Sequence, residues 1–251
     1  MPGQFEEAFA AVRKGDYATA QRLLRGLADQ GYAAPQYNLG LMYLNGRGVP
    51  QNDAEAAKWF LKAADQGYAA AQHNLGGMYD IGRGMPQNDA EAVKWFRKAA
   101  DQGFAKAQSD LGVMYAKGRG VPQNAAEAAK WFRKAADQGH AAAQVNLGLM
   151  CENGQGVPKD FAEAVRWYQF AADQGDARAQ VNLGLMYATG RGLPKDNVWA
   201  CIWFNLSAAQ GNQNAAKNRD LVAQQMTPAQ IAEAQKLARE WKPTNTQTQK
   251  S

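Results

Sequence analysis

The chain has 251 residues, 46% hydrophobic and 10% aromatic, which is enough for a substantial core, and no apolar run approaches the ~18 residues that a membrane-crossing helix needs. The net charge of +5 is thinly spread, with Lys and Arg alternating with Asp and Glu, so charge alone gives no argument for nucleic acid. Cys151 and Cys201 have neither metal-like nor redox spacing and are expected to be buried free thiols, a disulfide being the alternative.

Met1 to Ala11 lacks a basic segment followed by an uninterrupted apolar stretch, so a cytoplasmic location is expected, or a periplasmic or secreted one if a signal was removed. Phe5 to Gly31 reads as an opening hairpin. One helix carries Phe9, Ala10 and Val12, Gly15-Asp16 make a tight turn, and a second helix runs from Tyr17 to Gln30.

A period of 36 residues then takes over. The string LADQG or AADQG ends at Gly31, Gly67, Gly103, Gly139 and Gly175, and SAAQG ends at Gly211. Gln36, Gln72, Gln108, Gln144 and Gln180 keep the same interval, as do Trp59, Trp95, Trp131, Trp167 and Trp203. Three series in phase mark five repeats, 33–68, 69–104, 105–140, 141–176 and 177–212.

Within the first repeat, Pro35 to Asn45 places Leu39, Gly40 and Tyr43 on one helical face, forming helix A. Gly40 recurs as Gly76, Gly112, Gly148 and Gly184, although glycine inside a helix costs ~1 kcal/mol relative to alanine. Close approach of a second helix is the expected reason. A Gly-rich connector with Pro50 ends helix A, and Asn52 with Glu55 reads as a capping box that starts helix B. The pair recurs as Asn88/Glu91, Asn124/Glu127 and Asp160/Glu163. Helix B buries Ala56, Phe60 and Ala64 beside Trp59 and Ala63, and the Gly of DQG stops it. Two helices of this size cannot cover their own apolar faces, so each pair stacks on the next.

The last repeat departs from this pattern. Trp199 stands where the capping-box Glu is expected, and Ile202 and Leu206 replace residues that are basic in the first three repeats. Apolar side chains there require a cover, supplied by residues 213–241: Ala215 to Met226, then a helix opened by Thr227-Pro228 with Gln230 and ending near Trp241. The expected organisation is therefore an opening hairpin (1–32), five repeats (33–212), capping helices (213–241) and a disordered tail, Lys242 to Ser251.

The repeat, A-x-x-LG-x-x-Y-x-x-G-x-G-V-P-x-D/N-x-x-E-A-x-x-W-x-x-x-A-A-x-x-G, resembles that of the Sel-one-like repeat (SLR) family, a branch of the tetratricopeptide (TPR) superfamily. Four of the five copies are nearly complete, and the fifth departs at Trp199. The resemblance implies an all-α, right-handed TPR-like α-solenoid of antiparallel helix pairs used as an adaptor or scaffold, in bacteria often tied to envelope, secretion or host-interaction systems. Some family members have been described as β-lactamase-like. Here none of Ser109, Ser207 and Ser251 begins a Ser-x-x-Lys, and His73 and His140 are too few for a metal-dependent hydrolase. A non-catalytic protein needing no cofactor is expected, with β-lactam hydrolysis as a remote alternative.

The expected function is binding of a protein or peptide in the concave groove by a monomer, with nucleic acid disfavoured. Helix A makes the inner wall of TPR-like stacks, and its outward positions vary from copy to copy. They supply the candidate contacts Tyr37, Leu41, Leu44, His73, Asp80, Lys106, Ser109, Val113, Lys117, Val145, Leu149, Glu152, Arg178, Val181 and Leu185. Leu41, Val113, Leu149 and Leu185 have no evident core duty in the sequence, and apolar exposure is a usual mark of a binding surface. The competing site is a basic stripe on helix B, Lys58/Lys62, Lys94/Lys98 and Lys130/Lys134 with Arg97 and Arg133, suited to an anionic surface or acidic partner. Arg47, Arg83, Arg119 and Arg191 in the connectors read as structural.

Overall fold

A computed structural model describes residues 2–244. These form fourteen helices and no strand: α1 (Pro2–Lys14), α2 (Tyr17–Asp29), α3 (Ala33–Asn45), α4 (Asp53–Asp65), α5 (Ala69–Ile81), α6 (Asp89–Asp101), α7 (Ala105–Lys117), α8 (Ala125–Asp137), α9 (Ala141–Asn153), α10 (Phe161–Asp173), α11 (Ala177–Thr189), α12 (Asn197–Ala209), α13 (Gln213–Ala223) and α14 (Pro228–Glu240). They divide into two compact units, Met1–Gln123 with α1 to α7 and Asn124–Ser251 with α8 to α14. Each is a stack of antiparallel helix pairs with one further helix, α7 in the first unit and α8 in the second.

Local chemistry sets the helix ends. The side chains of Asn52, Asn88, Asn124 and Asp160 accept hydrogen bonds from the backbone N–H three residues on, and so cap α4, α6, α8 and α10. The expected reciprocal half of the capping box is not made in these helices. Glu55, Glu91 and Glu127 turn instead to Lys58, Lys94 and Lys130 one turn along, and Glu163 meets Arg133. A lysine three residues away outcompetes the neutral backbone N–H. The reciprocal box does form at Thr227/Gln230, with Pro228 at the first helical position of α14. Gly67 after α4 has a left-handed φ of 85°, and Tyr68 N–H bonds back to the Ala63 carbonyl, which closes that helix.

The recurring helix A glycine has the steric reason expected of it. A Cβ on Gly40 would lie 2.6 Å from the Phe60 ring, one on Gly148 2.6 Å from Tyr168, and those on Gly76 and Gly184 2.7 Å from Phe96 and Phe204. In each pair the aromatic ring of helix B occupies the space that a helix A side chain would need.

Buried glutamines stitch one repeat to the next. Gln36, Gln72 and Gln108 in one unit, and Gln144 and Gln180 in the other, each donate to a C-terminal carbonyl of the preceding helix B. Gln66, Gln102, Gln174 and Gln210 donate back to the side-chain oxygens of Gln36, Gln72, Gln144 and Gln180. Each of these carbonyls also accepts from the N–H of the glycine three residues on, so the glutamine fills its second lone pair inside the core.

The C-terminal helices cover the last repeat as expected. Ile202, Cys201 and Ala234 form one buried cluster with Leu206 and Met226 against it, and Val222 of α13 joins Ala200 and Phe204 in another. Trp199 is the exception. It is 44% exposed, lying between the Tyr187 and Trp203 rings rather than under α13 or α14, because residue three of α12 points away from that cover. The expected tail begins in order, since Thr244 N–H donates to the Asp173 carbonyl at 2.8 Å; residues 245–251 lie outside the described residues.

Candidate partner-binding surface

Helix A presents a graded surface. Lys106, Lys117 and Arg178 are exposed, as are Leu149 (38%) and Leu185 (41%). Two of the expected contacts are not surface residues at all: Ser109 is 4% exposed and Val145 2%. Their position in the repeat borders the buried glutamine, where the same residue type can be buried, as Val145, or half-buried, as Val181, and where larger rings reach the rim. Tyr37 reaches it packed on Phe60 and Tyr68, and His73 packed on Phe96 and Phe104.

Leu41 and Leu44, with Tyr37, are half-buried against the cluster of Phe60, Leu75 and Met78, so they do carry core duty. Val181 packs likewise on Ala200 and Phe204. Glu152 accepts a 2.8 Å hydrogen bond from the Tyr168 hydroxyl and faces Arg191 at 3.8 Å. Burial, and then Glu152, push the Tyr168 phenol up, holding it as a neutral donor.

Four departures from the repeat meet in one cavity of about 330 Å³ in the first unit, between α3, α5 and α7. They are His73, Gly77, Asp80 and Asp110, and Met78, Phe96 and Met114 also line it. Asp110 is the residue that reading the sequence missed. It belongs to a half-buried series, Asn38, Asn74, Asp110, Asn146 and Asn182, just beyond the positions judged to face outward. One acid in a series of amides was the available signal. His73 Nε2 lies 2.8 Å from Asp110 Oδ2, and Val113 lines the cavity beside them. Gly77 is unlike its neighbour Gly76, because a Cβ there would meet nothing within 4 Å.

The basic stripe is taken up internally. Lys62, Lys98 and Lys134 sit over the Trp59, Trp95 and Trp131 rings at 4.2, 3.9 and 3.9 Å, while Lys58, Lys94 and Lys130 pair with glutamates of their own helices. Arg97 reaches the Tyr115 hydroxyl and Arg133 reaches Glu163. The connector arginines also serve the stack. Arg83 reaches Asp53 at 2.9 Å, and Arg119 reaches Asp80 at 2.7 Å and Asp89 at 2.6 Å. Hydrogen bonds from Arg83 and Arg119 hold the Asp53 and Asp89 carboxyls below the usual carboxylate range.

Both cysteines are buried free thiols. Burial pushes the Cys151 thiol up to about 11, with Glu163 adding to it, and raises that of Cys201. Among the described residues, no group of three or more His, Cys, Asp or Glu side chains is placed to hold a metal ion, and no helix is long and apolar enough to cross a membrane.

The Sel1 repeat family model matches residues 36–68, 69–104, 105–140, 141–176 and 177–212. A Sel1 repeat protein from Oxalobacter formigenes is 36% identical over 95% of this chain and 96% of its own, with a TM-score of 0.82. A putative Sel1 repeat protein from Klebsiella pneumoniae (21% identity, 81% of this chain, 99% of that one, TM-score 0.51) has a similar fold. So does an immunity protein from Pseudomonas aeruginosa (19% identity, 80% and 81%, TM-score 0.52). No curated protein matches. The chain belongs to the Sel1 repeat family, an all-helical repeat fold that is typically a non-catalytic scaffold and generally mediates protein–protein interaction.

Proposed function

We propose that this protein is a non-catalytic adaptor whose helix A surface, the concave wall in stacks of this kind, binds a protein or peptide partner. One contrast carries the reading. In α4, α6 and α8 the helix B surface repeats the same internal pairings three times over, with Lys on Trp and Lys on Glu, whereas the helix A surface changes from copy to copy and bears exposed Leu149 and Leu185; Leu61 and Phe170 are exposed on helix B. A surface that repeats offers a partner no register; one that varies can select. Lys106 and Lys117 in the first unit, and Leu149, Leu185 and Arg178 in the second, are exposed side chains of that surface, Arg178 being paired with Asp176; the leucines supply apolar contact and the cations charge selection.

The test is affinity capture from native lysate with paired variants. Leu149→Asp with Leu185→Asp eliminates the captured partner at unchanged helicity, and charge reversal at Lys58, Lys94 and Lys130 leaves it. Loss on reversing the lysines, with retention in the leucine variant, places the site on helix B and contradicts the proposal.

A further inference from the structure

We propose that the cavity over Gly77 receives a cationic side chain, lysine or arginine, from the partner bound on the helix A surface; the inference rests on the functional reading above and gives the partner its chemistry. Gly77 is the first reason. Its counterparts in the other repeats are Leu41, Val113, Leu149 and Leu185, and no neighbour comes close enough to require glycine. The helix forgoes a stabilising side chain, and what it gains is space. At about 330 Å³ the cavity is near the lower bound of ~300 Å³ for ligand clefts, suited to one long side chain.

The charges around that space are the second reason. Arg83 and Arg119 line it, but both are committed: Arg83 to Asp53 and the Leu44 carbonyl, Arg119 to two carboxylates at once, Asp80 and Asp89. Asp110 is paired only with the His73 imidazole. Asp80 and Asp110 are the carboxylates of the lining, and Arg83 and Arg119 are further neutralised from outside it by Asp53 and Asp89, so Asp110 is the lining carboxylate with no guanidinium of its own. An anionic side chain finds no unpaired cation there, and an apolar one would displace water from Asp110 without replacing it. A lysine or arginine satisfies both surfaces, with its aliphatic stem along Val113 and the Met78 and Met114 edges and its charged head at Asp110.

Gly77 and Asp110 depart from the Leu or Val and the Asn that the other copies hold, His73 and Asp80 stand at positions that vary from copy to copy, and the four share one cavity although they lie on two helices.

The experiment is amide NMR of the full ¹⁵N-labelled chain titrated with acetylated, amidated pentapeptides, Ala-Ala-X-Ala-Ala, in which X is arginine, lysine, norleucine or glutamate. The arginine and lysine peptides are expected to shift the Gly77 and Asp110 amides with salt-sensitive affinity, and the other two to leave them in place. Asp110→Asn weakens the arginine peptide about tenfold, the weight of one hydrogen bond to a charged group. Gly77→Leu removes its binding. Both substitutions install what other copies already carry, and the spectrum itself reports that the fold is kept. Equal shifts from norleucine, or none from any peptide, overturn the inference. The adaptor reading is tested separately through Leu149 and Leu185, in the other unit. Failed peptides with successful leucine variants sink the cation pocket alone, and the reverse sinks the adaptor surface.

Discussion

Gln102 Nε2 donates to Gln72 Oε1 at 2.7 Å while Gln72 Nε2 donates to the Ala64 carbonyl at 3.0 Å, so one buried amide holds the C-terminal turns of two successive B helices. Replacing Gln72 with leucine keeps most of the volume and leaves the Ala64 carbonyl and the Gln102 amide without that partner. The carbonyl keeps the Gly67 N–H and the amide keeps the Lys98 carbonyl, so the expected loss is that of the hydrogen bonds themselves, about 0.5–1.5 kcal/mol each. Urea unfolding measures it, and an unchanged midpoint would show that the ladder adds nothing to stability.

Gly76 and Gly77 are adjacent and should respond to alanine with opposite signs. At Gly76 the new methyl meets the Phe96 ring at 2.7 Å, an overpacking expected to cost roughly 1–3 kcal/mol. At Gly77 it meets nothing, and the gain in helix propensity is up to about 1 kcal/mol. Thermal melts of the two single variants decide it. Destabilisation at both positions would mean that Gly77 is there for packing and not for space.

These two glycines also mark how far the sequence could be read. The 36-residue period, the helix pairs, the bare helix A backbone under an aromatic ring and the C-terminal cover all follow from spacing and side-chain size. The candidate surface was less legible. Ser109 and Val145 are buried while Val181, at the same position, is half-buried, because exposure beside the buried glutamine depends on the local neighbours, which spacing does not contain. Leu41 and Leu44 double as core for the same reason. Asp110 was overlooked because one acid in a series of asparagines looks like drift until His73 and Gly77 are seen beside it.

Removing residues 213–251 should uncover Ile202 and Cys201, which Ala234 of α14 now seals. Restoring water to one large aliphatic side chain costs ~1.5–3 kcal/mol, and an uncovered end of the stack invites self-association. Size-exclusion chromatography with light scattering should show larger species and the melt should shift down. A monomeric truncation as stable as the full chain would refute the capping role. Trp199 fluorescence should change little, since that ring already meets solvent.

Cys151, with its thiol pushed up to about 11, is protonated at neutral pH and buried, and Cys201 is buried with its thiol also raised. A thiol-reactive aromatic disulfide should therefore titrate neither cysteine in the native protein at pH 7.5 and both in denaturant, because the thiolate is the nucleophile. Rapid reaction of either thiol in the folded state would contradict that burial.

The central claim, that a protein partner sits on the helix A surface, is tested most directly by hydroxyl-radical footprinting of the complex against the free chain. Leu149 and Leu185 on helix A, and Leu61 and Phe170 on helix B, are all exposed and oxidisable. The account predicts that the partner lowers oxidation of Leu149 and Leu185 and leaves Leu61 and Phe170 as reactive as before; protection of Leu61 and Phe170 with Leu149 and Leu185 unchanged would contradict it.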